Sequence, residues 1–490
     1  MPVIKKDFVV KNNLLVTGNT TVPNSGNLVT TNEIRSISKP ALDFNFTRNN
    51  FLDPRITFVR NSGASYINSA GILSYADTNK PRFDYDPITG QCKGLLMEIQ
   101  STNYIRNNTM NGAVAGYPGT WPTSWTYSTP QYGMNTQLVG VGVENGINYI
   151  DVRWYGTTTV STYYIDLADF EALGGGGIPF TSTGSSYVES YYLKLVGGTT
   201  NNLLLNGFRG GYYTYDSNNN YVTGGNMAGA WYTPTSAPLI TQRVISVMTN
   251  IQATTSTGYL RPYITTAFLN SGTYVDVTVR IGMPQFEIGT NVAGTATSVI
   301  ATSGAQATRA QESANVYGQP FNSVYSAQAG TVYTEVSLPF PRIYNGANSW
   351  VGGICSLGSV YSGYISYFSL GYLYYDGSSY GSSYIASNGT NYNDALYTNG
   401  VPYTYSDNRY HRFAVAWNNT NYVATTVRDG NSITTASSYA ASGNPNFGAL
   451  VIGGRATGGD YTIIGWVRRF TYWPTQLTNS QLSALTAPNT

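Results

Sequence analysis

The chain has 490 residues, enough for roughly two to four domains. Charged residues make up 10% of it, against about 25% in an average globular protein, and 26 basic against 24 acidic residues leave a formal net charge of +2. That balance supplies no field that would make nucleic acid the main partner, and 14% aromatic residues argue against disorder.

No uninterrupted apolar run reaches the roughly 18 residues of a membrane span, so no membrane insertion is expected. The start, Met1 to Phe8, lacks the apolar block and small-residue cleavage site of a signal peptide; export by the ordinary secretory route is not expected. Cys92 and Cys355 stand far apart with no other Cys or His beside them, which excludes zinc-knuckle spacing and disfavours a disulfide. The only histidine, His411, lies in the strand-like run Tyr410 to Trp417 and reads as structural.

In chain order, four sections are expected. Residues 1–38 hold short β-prone runs separated by Asn and Gly, too few to bury a core alone. The segment therefore folds by pairing with other copies or a partner, or else stays a loose tail. Residues 39–108 read as a β-rich connector with turn signals at Asn61-Ser62-Gly63, Ala70-Gly71, Asp86-Pro87 and Thr89-Gly90. Asn79 to Asp86 is the most charged patch in the chain, and Gly94 to Glu98 reads as a short buried strand.

Residues 109–312 carry strand candidates at 148–154, 190–195, 243–247 and 274–281. The last is clearest, with Val275, Val277, Val279 and Ile281 on one face. Gly174 to Gly177 and Gly210-Gly211 read as breaks between runs. Many short strands without helical periodicity predict an antiparallel sandwich. Residues 313–490 repeat this texture with more tyrosine. Asp429-Gly430 signals a hairpin, and Thr478 and Gln481 have capping-box spacing, with Leu477 and Leu482 placed as a hydrophobic staple. The predicted fold is all-β: an N-terminal attachment segment, a small β connector, two antiparallel jelly-roll-type sandwiches and one short C-terminal helix.

Asp53 to Arg60, Pro81 to Asp86 and Gly94 to Glu98 resemble the leader of bacteriophage tail fibre and tailspike virion proteins, whose usual form is approximately "DPRITFTRAS…PRFDYDP…GLLIE". Here Asn61-Ser62 replaces the common Ala-Ser, and Met97 fills a slot usually held by Ile or Val. Gln285 to Gly289, with Thr302 to Arg309, is similar to the closing strand and exit of their carbohydrate-binding-like sandwich. His411 to Trp417, Gly465 to Trp473 and Leu477 to Thr486 resemble a concanavalin A-like (laminin-G-like) lectin domain. The resemblance implies a virion protein assembled in the host cytoplasm, usually a homotrimer. It also implies an N-terminus bound to tail, baseplate or capsid proteins and sandwiches facing the host.

A glycosidase would need two carboxylates across a cleft. No Glu-x-Asp-x-x-Glu string occurs, Glu335 is the last Glu, and Asp376, Asp394, Asp407, Asp429 and Asp460 are scattered. No enzyme is expected, with a polysaccharide-degrading tailspike and a purely structural head fibre or baseplate part as alternatives. No cofactor is expected either, although Asp376 or Asp394 with backbone oxygens could hold calcium. A binder needs aromatic platforms, and Tyr372, Tyr374, Tyr380, Tyr384, Tyr392 and Tyr403 are the expected glycan-binding residues. They could equally be cross-strand partners or contacts between trimer copies. Trp121 to Trp125 resembles the first variable loop of the middle sandwich, where core packing and ligand contact both stay open. The expected role is non-catalytic adhesion to host cell-surface polysaccharide.

Overall fold

The computed structural model describes residues 37–48, 51–126, 132–161, 164–171, 178–179, 187–226, 231–248, 258–288, 296–337, 349–358, 367–375, 380–387, 392–397, 409–418, 423–429, 432–436, 448–454 and 462–487. The 1–38 attachment segment lies outside these residues except for its last two. The fold is all-β, with long antiparallel strands and few short helices. No helix among the described residues is long and apolar enough to cross a membrane.

The middle section is a sandwich of two sheets. One sheet orders its strands Arg243–Met248, Tyr187–Gly198, Tyr274–Ile288, Ile147–Thr157 and Met134–Glu144. The other orders Tyr164–Asp169, Tyr259–Ala267, Arg209–Tyr215 and Tyr221–Asn226, with Ile178–Pro179 also on Tyr259–Ala267. Successive side chains of a strand point to opposite faces, so the predicted set Val275, Val277, Val279 and Ile281 enters the core together. Ile150, Val152, Trp154, Tyr191 and Leu193 meet it on the same sheet, and Leu260 and Ile264 close it from the other. Trp125 is buried here too, edge-on to Phe170 and donating its indole N–H to the Asn107 carbonyl at 2.8 Å.

The C-terminal section packs a sheet containing Ala329–Ser337, His411–Asn418 and Gly465–Trp473 against one containing Ser313–Tyr317, Ala449–Ile452 and Ser349–Gly358. Connector strands complete both sheets. Leu42–Asn45 and Cys92–Met97 pair with Gly465–Trp473, while Thr57–Val59 pairs with Ser313–Tyr317. Leu42, Phe44, Ile56, Phe83, Leu95 and Met97 therefore share one core with Val332, Leu450 and Phe470. The last helix, Asn479–Thr486, has the predicted capping box, with Thr478 and Gln481 bonding each other's backbone N–H. Leu477 and Leu482 are buried beneath it. His411 binds Asp429 through Nδ1 at 2.7 Å, and Asp429 also accepts from the Arg412 N–H, so the histidine anchors the hairpin turn. Both cysteines are free thiols.

Two charged residues of the connector patch, Arg82 and Asp84, go inward, while Lys80 stays exposed. Arg60, Arg82 and Arg309 meet Glu98 and Glu312 in a buried cluster joining the connector to the segment between the sandwiches. Glu312 accepts from Arg60 at 2.9 Å, from Arg82 twice at 2.7 Å and from the Glu98 N–H at 2.8 Å. Glu98 accepts from Arg82 at 2.8 Å and from Ser298 N–H and O–H at 2.7 and 2.6 Å. Burial alone would raise the Glu98 carboxyl, but Arg309, Arg82 and Ser298 outweigh it and hold it at about 2. The leader motif thus supplies Arg60, Arg82 and Glu98 to a structural clamp.

Candidate functional site

The sheet around Tyr259–Ala267 and Arg209–Tyr215 turns Leu260, Pro262, Ile264, Gly210, Tyr212 and Thr214 toward the sandwich core. The alternate positions form its other face. There Tyr213 stands opposite Arg261, Tyr215 opposite Tyr259, and Gly211 opposite Tyr263. From the edge strand, Tyr221 pairs with Tyr215 and Gly224 with Tyr213.

These side chains form one aromatic tile. Ring centroids are 4.4 Å apart for Tyr213–Tyr263, 5.9 Å for Tyr213–Tyr221, 6.2 Å for Tyr215–Tyr221 and 5.7 Å for Tyr215–Tyr259, the last pair stacked. Such spacings lie in the favourable range for aromatic pairs. Polar groups fix the rings. Tyr213 donates to Asp166 at 2.6 Å, and Arg261 donates to the Tyr215 hydroxyl at 2.8 Å while its guanidinium lies 5.1 Å from that ring. Arg261 is itself held by the Glu171 carbonyl at 2.6 Å. Beside the tile, Arg209 lies 4.6 Å over the Trp231 ring. Tyr221 is 60% exposed and Tyr213 half-buried, whereas Tyr215, Tyr259 and Tyr263 lie mostly under their neighbours. Burial pushes the Tyr259 hydroxyl above its ordinary range. The arrangement offers one exposed ring at the sheet edge, Tyr221, standing edge-on to Tyr213 and Tyr215, chemistry suited to stacking against a sugar ring.

Gly210-Gly211 corrects the sequence reading, which made it a break; it lies within the strand Arg209–Tyr215. A Cβ at Gly211 would run into the Tyr263 ring, and one at Gly210 into the Glu189 carboxylate on the opposite sheet. The pair is where two larger side chains cross the strand. The tile was legible only in part. Tyr213 and Tyr215 alternate, as do Tyr259 and Tyr263 around Arg261, but nothing local pairs the two strands.

Among the residues expected from sequence, Tyr372 and Tyr374 lie in Tyr367–Tyr375, Tyr380 and Tyr384 in Tyr380–Ser387, and Tyr392 opens Tyr392–Tyr397. These strands are consecutive at one end of the seven-stranded sheet. The register pairs Tyr372 with Ser383, Tyr374 with Gly381, Tyr384 with Leu370, and Tyr392 with Ser387. Tyr403 and Asp376 lie outside the described residues, and Asp394 falls within Tyr392–Tyr397.

No family model matches the chain, and no curated protein matches it. Solved structures do. The carbohydrate-binding module CBM40 of Ruminococcus gnavus IT-sialidase, bound to α2,3-sialyllactose, is 18% identical over 33% of this chain and 84% of its own, with a TM-score of 0.26. Domain 4 of a GH43 extracellular arabinanase from Geobacillus stearothermophilus, in complex with arabinotriose, is 13% identical over 40% and 84%, with a TM-score of 0.25. Domains LG4-5 of the mouse laminin α1 chain are 12% identical over 68% and 97%, with a TM-score of 0.21. The structural neighbours thus include carbohydrate-binding modules and laminin-G domains, while the all-β class here rests on the sheets themselves.

Proposed function

We propose that this chain is a phage virion fibre or spike protein that holds host-surface polysaccharide without cleaving it, through the tyrosine face of the middle sandwich. The observation that carries the reading is the tile of Tyr213, Tyr215, Tyr221, Tyr259 and Tyr263, which ends in the exposed Tyr221 ring at the sheet edge. Tyrosine rings with tethered hydroxyls stack on sugar rings and bond their hydroxyls at little entropic cost. Two carboxylates near this face are engaged structurally, Asp166 by Tyr213 and Glu171 by Arg106, which favours binding over hydrolysis. In the same reading the C-terminal tyrosines Tyr372, Tyr374, Tyr380, Tyr384, Tyr392 and Tyr403 supply further contacts to the polysaccharide. The chain then acts as a homotrimer, with residues 1–38 joined to tail, baseplate or capsid proteins.

The test is binding of the full-length protein to host polysaccharide, measured by calorimetry and by competition with phage adsorption. Tyr221→Ala should weaken binding about two- to tenfold, the worth of one aromatic contact. Tyr372→Ala and Tyr380→Ala, assayed in parallel, test those further contacts. Unchanged affinity in Tyr221→Ala combined with Tyr213→Ala removes the tile from the reading. Release of new reducing ends from the polysaccharide makes the protein an enzyme instead.

A further inference from the structure

A cavity of about 230 Å³ lies where the connector, the middle sandwich and the last strand of the C-terminal sandwich meet. Tyr66, Asp84 and Lys93 line it from the connector, Tyr192 and Arg243 from the middle sandwich, and Trp466 from Gly465–Trp473. Its apolar wall is made by Ile67, Leu96, Ile245, Val299 and Ile464. The space accommodates a ligand of about monosaccharide size.

The polar groups are arranged unequally. Asp84 is nearly buried and already accepts from the Ile67 N–H at 2.7 Å and from the Trp466 indole N–H at 2.9 Å. Lys93 stands 3.8 Å from the same carboxylate and 4.6 Å from the centre of the Trp466 ring. Lys93 and Trp466 are only half-buried, so the cavity reaches solvent beside them. Arg243 is different. Its Nη2 donates to the Ser190 hydroxyl at 2.9 Å and its guanidinium lies 5.8 Å from the Tyr192 ring. Its Nε is buried and has no hydrogen-bond partner, and among the described residues no carboxylate pairs with this guanidinium. A guanidinium with one unmatched donor on the wall of a small cavity favours an anionic acceptor, because a charge-assisted hydrogen bond is stronger than a neutral one.

We propose that this cavity binds one acidic monosaccharide unit, a pyranose bearing a carboxylate, with the carboxylate received by Arg243 and the ring set against Ile245, Val299 and Ile464. Lys93 supplies a second positive charge at the mouth. Asp84 offers its remaining acceptor capacity to a ring hydroxyl. A neutral sugar would offer the Arg243 Nε only a hydroxyl oxygen, a weaker acceptor than a carboxylate, and a cationic ligand would meet both Arg243 and Lys93. The site shares no residue with the tyrosine tile, and its Tyr192 and Arg243 belong to the other sheet of the middle sandwich, so either assignment can fail alone.

The experiment uses the full-length protein with glucuronate, glucose and gluconate, followed by ligand-observed NMR and tryptophan fluorescence. Glucuronate should bind about tenfold or more tighter than glucose, and Arg243→Gln should remove that preference. Ala296→Phe, placed on the cavity wall, should abolish glucuronate binding while the unfolding midpoint and the binding of host polysaccharide stay as in the parent. Equal binding of glucuronate and glucose overturns the proposal, as does a preference that survives Arg243→Gln. Gluconate has the same charge without the ring, so gluconate binding as tightly as glucuronate overturns the sugar assignment.

Discussion

Glu312→Ala is the most direct probe of how the sections are joined. Glu312 is fully buried and takes four hydrogen bonds: one from Arg60, two from Arg82 and one from the backbone of Glu98. Arg60 and Arg82 are fully buried as well. Removing the carboxylate strands two guanidinium groups away from water, and breaking a buried pair in this way costs about 3–5 kcal/mol. Arg60 is the more vulnerable of the two. Burial already lowers its pKa despite Glu312, whereas Arg82 retains Glu98 at 2.8 Å. Stability is read from urea unfolding of the full-length protein, with Asp43→Ala as the control. Asp43 pairs with Arg469 at 2.8 Å at the surface, with both side chains about two-fifths exposed, so its loss should cost at most about 1 kcal/mol. A Glu312→Ala loss no larger than that of Asp43→Ala would refute the clamp.

Three further outcomes follow from the same contacts. The Glu98 carboxyl sits at about 2 in the folded protein against 4.5 unfolded, so its stabilisation is complete above pH 4.5. It should disappear as pH falls from 4.5 toward 2, and Glu98→Gln should flatten that acid limb of the unfolding midpoint. Glu189 has the opposite sign. Both its oxygens are buried without a hydrogen bond, and burial raises its pKa well above 4.5, so it weighs on stability increasingly as pH rises beyond 4.5. Glu189→Gln should therefore gain stability over the parent at neutral pH and lose that advantage near pH 4, as read by thermal melts. Thr478→Ala removes the helix cap and should lower stability by about 1 kcal/mol in urea titrations.

Legibility in the sequence followed the range of the interaction. The capping box spans Thr478 to Gln481, and the Asp429 turn joins strands adjacent in the chain, so both show as short spacings. Val275, Val277, Val279 and Ile281 show as a period of two because a strand repeats its facing every second residue. The clamp is invisible in that sense, since Arg60 and Glu312 lie 252 positions apart and no local rule pairs them. The leader motif marked Arg60, Arg82 and Glu98 only through resemblance. The tile failed for a second reason as well. Gly210-Gly211 carries a turn signature, yet the glycines are required by Tyr263 and Glu189, which come from other strands.

The low charge of the chain is compounded by where its carboxylates lie. Glu98, Glu171, Glu189, Glu287, Glu312, Asp84, Asp151 and Asp166 are all buried, and of these only Glu189 lacks a partner. A third of the 24 acidic residues, eight in all, is therefore withdrawn from the surface together with Arg60, Arg82, Arg261 and Arg309, which leaves the exterior more sparsely charged than a charged fraction of 10% suggests. A sparsely charged exterior weakens long-range steering, so recognition has to come from contact with rings and hydroxyls at short range. The connector sets a second constraint on how that recognition can be dissected. Because Leu42, Phe44, Phe83, Leu95 and Met97 complete the C-terminal core, removing residues 313–490 would uncover their apolar side chains. Loss of adsorption after such a truncation would report unfolding as readily as a missing site. Single substitutions at Tyr221 and Arg243 leave that core intact and separate the tile from the junction cavity.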